Sequence, residues 1–166
     1  MSGKPAARLA DPVKHPLPPV LTGVPTSPNI LIGGKPAWKG VPAASAAALK
    51  AAKKVSDTTI EVAKAATKAA SGTPAFPAVK AAEEATKAAA LASMGSTISS
   101  MSMGADIHLC ATPYPIPPHG PGVVINGSKT VLINNLPAAR QGDTVLEAIG
   151  GPNKITQGCA TVKIGG

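Results

Sequence analysis

Three short apolar runs each end in a two-residue turn signal: Asn29-Ile-Leu-Ile-Gly-Gly-Lys-Pro-Ala37, Thr130-Val-Leu-Ile-Asn-Asn-Leu-Pro-Ala138 and Thr161-Val-Lys-Ile-Gly-Gly166. Gly-Gly and Asn-Asn accept the left-handed backbone that reverses a strand, so the runs predict short β-hairpins. Between the first and second runs, from Val41 to Ser102, the apolar positions become mostly alanine and lysine keeps to one face. This predicts a helix over 43–71 stopped by Gly72, and a second with Pro77 in its first turn, running to about Met94 before Gly95. The link Gly72-Thr-Pro-Ala-Phe-Pro77 makes the pair an antiparallel hairpin. Alanine favours helix but buries little area, so the hairpin needs something to dock on.

Aligning the run endings exposes a repeat. Asp11 stands 21 positions before Ile32, Asp143 stands 21 before Ile164, and Asp106 stands 27 before Ile133, the six extra residues falling in a proline-rich loop. Pro5-Ala-Ala-Arg8 and Pro137-Ala-Ala-Arg140 precede two of these aspartates, and Pro36-Ala-Trp38 is a decayed copy of the same phrase. The aspartate after such a phrase fixes a turn or pairs with the arginine. Units this small cannot each bury a core and must close on one another. The expectation is a mainly β, three-repeat pseudo-threefold arrangement with an inserted α-helical hairpin. Residues 1–40 form its first unit, 41–102 the insertion and 103–166 the second and third units. Closure would bring the residues four past each aspartate, His15, Cys110 and Glu147, to one level near the axis.

Composition narrows the picture. With 17 glycines and 18 prolines but one Trp, one Tyr and one Phe, the chain has no aromatic-filled core. The formal charge of +8 raises nucleic acid as a partner. Yet many of the lysines (Lys50, Lys53, Lys54, Lys64, Lys68, Lys80 and Lys87) lie in the Ala-rich segment with no aromatic platform, so they read as a solvated helix face and no nucleic acid is expected. The amino terminus has no apolar leader run, and 88–105 is broken by Ser, Thr and Gly, so a soluble protein made in the cytoplasm is expected.

The chemistry is concentrated in loops. Two cysteines beside three histidines suggest ligands or a buried thiol before a disulfide framework. Zinc takes four N or S donors, and a turn-rich fold with a thin core is where such an ion replaces missing burial. His108 and Cys110 share parity on an extended segment, while His15 and His119 sit in proline-rich loop sequence. The favoured set is His15, His108, Cys110 and His119, with Cys159 as the alternative ligand. Cys159 falls in register with Ser128 and also reads as a small core residue. A filled four-ligand site leaves no position for water, and no phosphate loop or nucleophile elbow is present, so an enzyme is not expected. The competing readings are a metal-dependent or thiol enzyme of the cytosol and a basic-helix module that binds anionic surfaces.

On Pro137-Ala-Ala-Arg140, Pro5-Ala-Ala-Arg8 and the strands Asn29-Ile-Leu-Ile and Thr130-Val-Leu-Ile, the chain resembles the PAAR-repeat proteins, the sharpened tips of the type VI secretion spike. Ala6-Ala-Arg8-Leu-Ala-Asp11-Pro-Val-Lys-His15 resembles the amino-terminal pre-PAAR motif, Ala-Ala-Arg-x-x-Asp-x-x-x-His. The resemblance covers residues 1 to about 40 and 103–166. It implies a β-cone with a structural zinc near its apex, its ligands mapping onto His15, His108, Cys110 and His119. It also implies a broad base on the blunt end of a trimeric valine-glycine-repeat spike protein, one tip per trimer. Ile30, Ile32, Val131, Ile133, Val162 and Ile164 are expected to supply that base. Such a tip is made in the cytoplasm and delivered into a target cell with the spike, touching the target membrane in passing, and the hairpin could receive an effector or chaperone. The chain departs from the family in two places. Glu147 stands where the family often has Cys, and the insertion is amphipathic and lysine-bearing where pre-PAAR relatives usually carry transmembrane helices.

Overall fold

The computed structural model describes residues 3–14, 20–25, 27–113 and 118–166. Strands β1 (Lys4–Ala6), β2 (Leu31–Ile32) and β3 (Lys35–Pro36) precede helices α1 (Ala43–Ala69) and α2 (Phe76–Met101). Strands β4 (His108–Pro113), β5 (Pro118–Val124), β6 (Leu132–Ile133), β7 (Leu136–Pro137), β8 (Thr144–Glu147), β9 (Asn153–Lys154) and β10 (Cys159–Ile164) follow. A mainly β architecture is corrected here: the helices, 27 and 26 residues long, outweigh the described strands, which are short because each unit is mostly turn.

Two hairpins, β2–β3 and β6–β7, reverse at Gly33-Gly34 and at Asn134-Asn135, all four residues at positive φ, as the turn signals require. In the third place β10 pairs with β1, Ile164 opposite Lys4 and Lys163 opposite Pro5. The three Pro-Ala phrases then meet. Ala7 N–H donates to Ala139 C=O at 2.9 Å, Ala139 N–H to Trp38 C=O at 2.9 Å, and Trp38 N–H to Ala7 C=O at 3.0 Å, closing a ring. A second set runs from Leu9 to Pro36, Gly40 to Pro137 and Gln141 to Pro5, at 3.0, 2.8 and 2.8 Å. The donors of both sets lie outside the described strands, so these bonds satisfy amides that the strand ladders do not pair.

Each phrase ends in a cation clasped to an aspartate. Asp11 accepts the Arg8 N–H at 2.8 Å and its guanidinium at 2.9 Å, and Asp143 accepts the Arg140 N–H at 2.8 Å and its guanidinium at 3.2 Å. Burial nevertheless pushes the Asp143 carboxyl above its ordinary value, Arg140 opposing the shift. The decayed phrase keeps the arrangement with Lys39, whose N–H and ammonium meet Asp106 at 2.7 and 3.1 Å across the whole helical insertion. Lys39 and Asp106 are both buried.

In the two hairpins adjacent apolar residues face opposite ways, Leu31 and Leu132 outward and Ile32 and Ile133 inward. Ile32, Ile133 and Ile164 turn inward with Ala6, Ala37, Ala138 and Cys159. The expectation that these isoleucines face a partner is thereby corrected; their neighbours Leu31, Val131, Leu132 and Val162 are the exposed ones. Trp38 is fully buried among Ala7, Val13, Leu21, Val124, Val145 and Ile155.

The helices lie antiparallel, Ser45 beside Met103 at one end and Thr67 beside Glu83 at the other. Leu49, Met94 and Ile98 join the core of Val123, Ile125 and Leu146, which is the docking surface that alanine could not supply. The second helix does not stop before Gly95 but continues to Met101. The reason is packing: a Cβ at Gly95 would stand 3.3 Å from the Pro121 ring, so glycine serves close approach there and not termination. Neither helix is long and apolar enough to cross a membrane.

Farther out, Lys87 and Glu83 form a buried pair at 2.5 Å. The hydrogen bond from Lys87, then that from Thr67, holds the Glu83 carboxyl down to about 2.

Two outcomes are expected. Lys39→Met strands a buried carboxylate and should cost about 3–5 kcal/mol in denaturant unfolding. Because the Glu83 carboxyl is lower folded than unfolded, its contribution is complete above its ordinary value of 4.5 and lost as pH falls toward about 2. Helical circular dichroism in a low-pH melt should weaken over that window, and less so in Glu83→Gln.

Candidate metal centre

The sheet β4–β5–β8 aligns three residues in one row: His108 pairs with Gly122, and Gly122 with Glu147. Residues opposite each other share a face of the pleat. The middle one has no side chain, so the outer two meet over it, His108 Nε2 lying 3.4 Å from Glu147 Oε1. A Cβ at Gly122 would stand 2.9 Å from Glu147 Cγ. Two residues along β4 on the same face comes Cys110, opposite Gly120. One donor atom each from His108, Cys110 and Glu147 lies within 4.8 Å of the other two, and all three residues are buried.

Other side chains hold this group in place. His119 Nδ1 lies 2.7 Å from Glu147 Oε2, and Asn153 Nδ2 donates to the same oxygen at 2.9 Å. Thr22 N–H donates to His108 Nδ1 at 3.2 Å. Gly120 and Gly150 take φ of +76° and +84°, and a Cβ at Gly150 would stand 2.8 Å from His119 Nε2, so backbone and space both call for glycine beside that ring.

The helical hairpin braces the same loop. Leu91 of α2 packs over Gly120, and Lys53 of α1 donates to Gly150 C=O at 2.9 Å while pairing with Asp57.

Of the residues singled out from sequence, His108 and Cys110 come together, and His119 reaches the group through Glu147. His15 lies outside the described residues. Cys159 sits in the separate cluster around Ile32 and Ile164, its thiol held below the ordinary value by a hydrogen bond with the Thr161 hydroxyl. Glu147 was not among the expected ligands. The signal for it was its place four past Asp143, matching Cys110 four past Asp106.

A thiol, an imidazole and a carboxylate converging in one buried group are donors that zinc and similar divalent ions accept, so the residues fit such an ion. Residues 116–166 match the family model of the PAAR motif. This PAAR motif takes in His119, the Arg140–Asp143 clasp, Glu147 and Cys159, and it is associated with the tip of the type VI secretion spike. No curated protein and no solved structure matches the chain.

Gly122→Ala should destabilise the fold by about 1–3 kcal/mol, since its Cβ would press on Glu147 Cγ and on Leu146 C=O at 3.0 Å. Gly151→Ala, with nothing within 4 Å of the added carbon, is the control and should leave the thermal melt nearly unchanged.

Proposed function

We propose that this chain is a metal-pinned tip of the type VI secretion spike. Residues 1–40 and 103–166 make a three-repeat β-cone, the first ten or so residues entering through a pre-PAAR motif, and 41–102 is a helical hairpin inserted into it. The observation that carries the reading is the closed ring of hydrogen bonds among Ala7, Trp38 and Ala139, in a chain whose last third matches the PAAR motif. Three segments far apart in sequence occupy equivalent places, as a cone of repeats demands.

The role is mechanical. Closing the units on one another leaves few strand edges to pair with other chains. A bound zinc would supply a cross-link among loops that have little apolar core of their own. His15, His108, Cys110 and His119 are the working ligand set, with Cys159 as the alternative. Two of these, His108 and Cys110, already lie in one buried group.

The base is the hairpin end. Leu31 and Leu132 are 58% and 57% exposed, and Val131 and Val162 are 37% exposed each. Leu31 and Leu132 hold equivalent places in the two hairpins, and exposed apolar residues of this kind suit a protein partner. That partner is the blunt end of the trimeric valine-glycine-repeat spike protein, one tip to each trimer, carried with effectors from the cytoplasm into the target cell.

The test is a seat variant, Leu31→Asp with Leu132→Asp. Both positions are solvent-facing, so the melting temperature should hold within a few degrees while co-purification with the spike trimer is lost. Undiminished binding by this variant sinks the proposed seat.

A further inference from the structure

We propose that Glu147 is an inner-sphere ligand of the ion, giving it a carboxylate beside the Cys110 thiolate. The inference rests on the metal-pinned reading above and changes its ligand set: the carboxylate takes the place that the working set gave to His119.

Four observations carry it. First, Glu147 is 1% exposed, and a carboxylate at that depth needs positive charge or several donors to offset its lost hydration. Second, its two oxygens are differently engaged. Oε2 is met by His119 Nδ1 and Asn153 Nδ2, which fixes the carboxylate plane, while Oε1 faces His108 inside the group that contains Cys110. Third, β5 is cleared for it, because Gly122 opposite Glu147 has no side chain and any Cβ there would collide with Glu147 Cγ. Fourth, Glu147 and Cys110 hold equivalent positions in their units, each four residues after a clasped aspartate.

Charge favours the pairing. One thiolate and one carboxylate neutralise a divalent ion, which keeps a buried centre free of net charge. His119 then stands behind the carboxylate and not on the ion: its Nδ1 points at Oε2 and its opposite edge lies against Gly150. Such outer hydrogen bonds orient a ligand and raise its basicity. For an ion on His108, Nε2 would have to offer its lone pair while Nδ1 already accepts from Thr22 N–H, so the proposal is built on Cys110 and Glu147.

The experiment uses the full chain, stripped with chelator and titrated with cobalt(II), then with zinc in competition. Wild type should take up one cobalt per chain and show a thiolate-to-cobalt charge-transfer band from Cys110. Glu147→Gln keeps size and hydrogen-bond acceptance but removes the anion. It should weaken zinc binding by more than ~100-fold, beyond the 10–100-fold expected of an outer-shell change. Glu147→Cys should recover tight binding and about double the charge-transfer intensity. Because that intensity reports direct contact between position 147 and the ion, it decides the matter even where Glu147→Gln folds poorly. Zinc binding within ~100-fold of wild type in Glu147→Gln, or no added band in Glu147→Cys, overturns the role of Glu147 while leaving a metal pin intact. A wild-type chain that binds no metal overturns the pin itself, and this inference with it.

Discussion

Everything in this structure depends on three non-adjacent stretches of backbone closing on one another. Ala7, Trp38 and Ala139 each donate to one neighbour and accept from the other, at 2.9–3.0 Å. These three residues lie outside the described strands, and a buried unpaired amide costs about as much as several surface contacts gain. The ring is therefore a constraint on the rest: the chain has to return twice to the same place, and the segments between must be short turns or an insertion whose ends lie together. Lys39 and Asp106 meet that second condition, bonding to each other with the whole helical hairpin between them.

The hairpin is more than a passenger on this frame. Alanine-rich helices gain little from their own contact, and these are held by Leu49, Met94 and Ile98 against Val123, Ile125 and Leu146. The docking also brings α2 onto Gly120 and Pro121 and α1 onto Gly150, the residues flanking His119. Helical packing and the geometry of the candidate centre are thus coupled through one loop. The outer half of the hairpin is held differently, by the buried Glu83–Lys87 pair, so the two ends respond to different conditions.

The candidate centre is made as much by absent side chains as by present ones. Gly122 allows His108 and Glu147 to meet across the sheet, and Gly150 admits the His119 ring. Into this space project a thiol, two imidazoles and a carboxylate, far more polarity than a small core tolerates unless something joins it together. A structural ion is that something in the reading advanced above. Leu31 and Leu132 of the two hairpins leave apolar side chains exposed on the same small body.

By itself the sequence determined the turns, the helices and the repeat. Gly-Gly and Asn-Asn require positive φ wherever they fall, alanine runs favour helix in any context, and Pro-Ala-Ala-Arg followed by aspartate forms its clasp within a few residues. Local chemistry of this kind survives translation from chain to fold. What only the tertiary structure decided were facts about distance. Trp38-Lys39 plays the full part of Ala-Arg because Asp106 arrives from beyond the insertion, and nothing local to Lys39 announces it. Gly95 reads as a helix stop until Pro121 is seen against it, and Ile32 and Ile133 turn inward while the equally apolar Leu31 and Leu132 face out, because strand register, not hydrophobicity, sets their direction. The repeat already set Glu147 level with Cys110, but its meeting with His108 across Gly122 arises only when β4, β5 and β8 align, since which residues share a row is a property of pairing and not of composition.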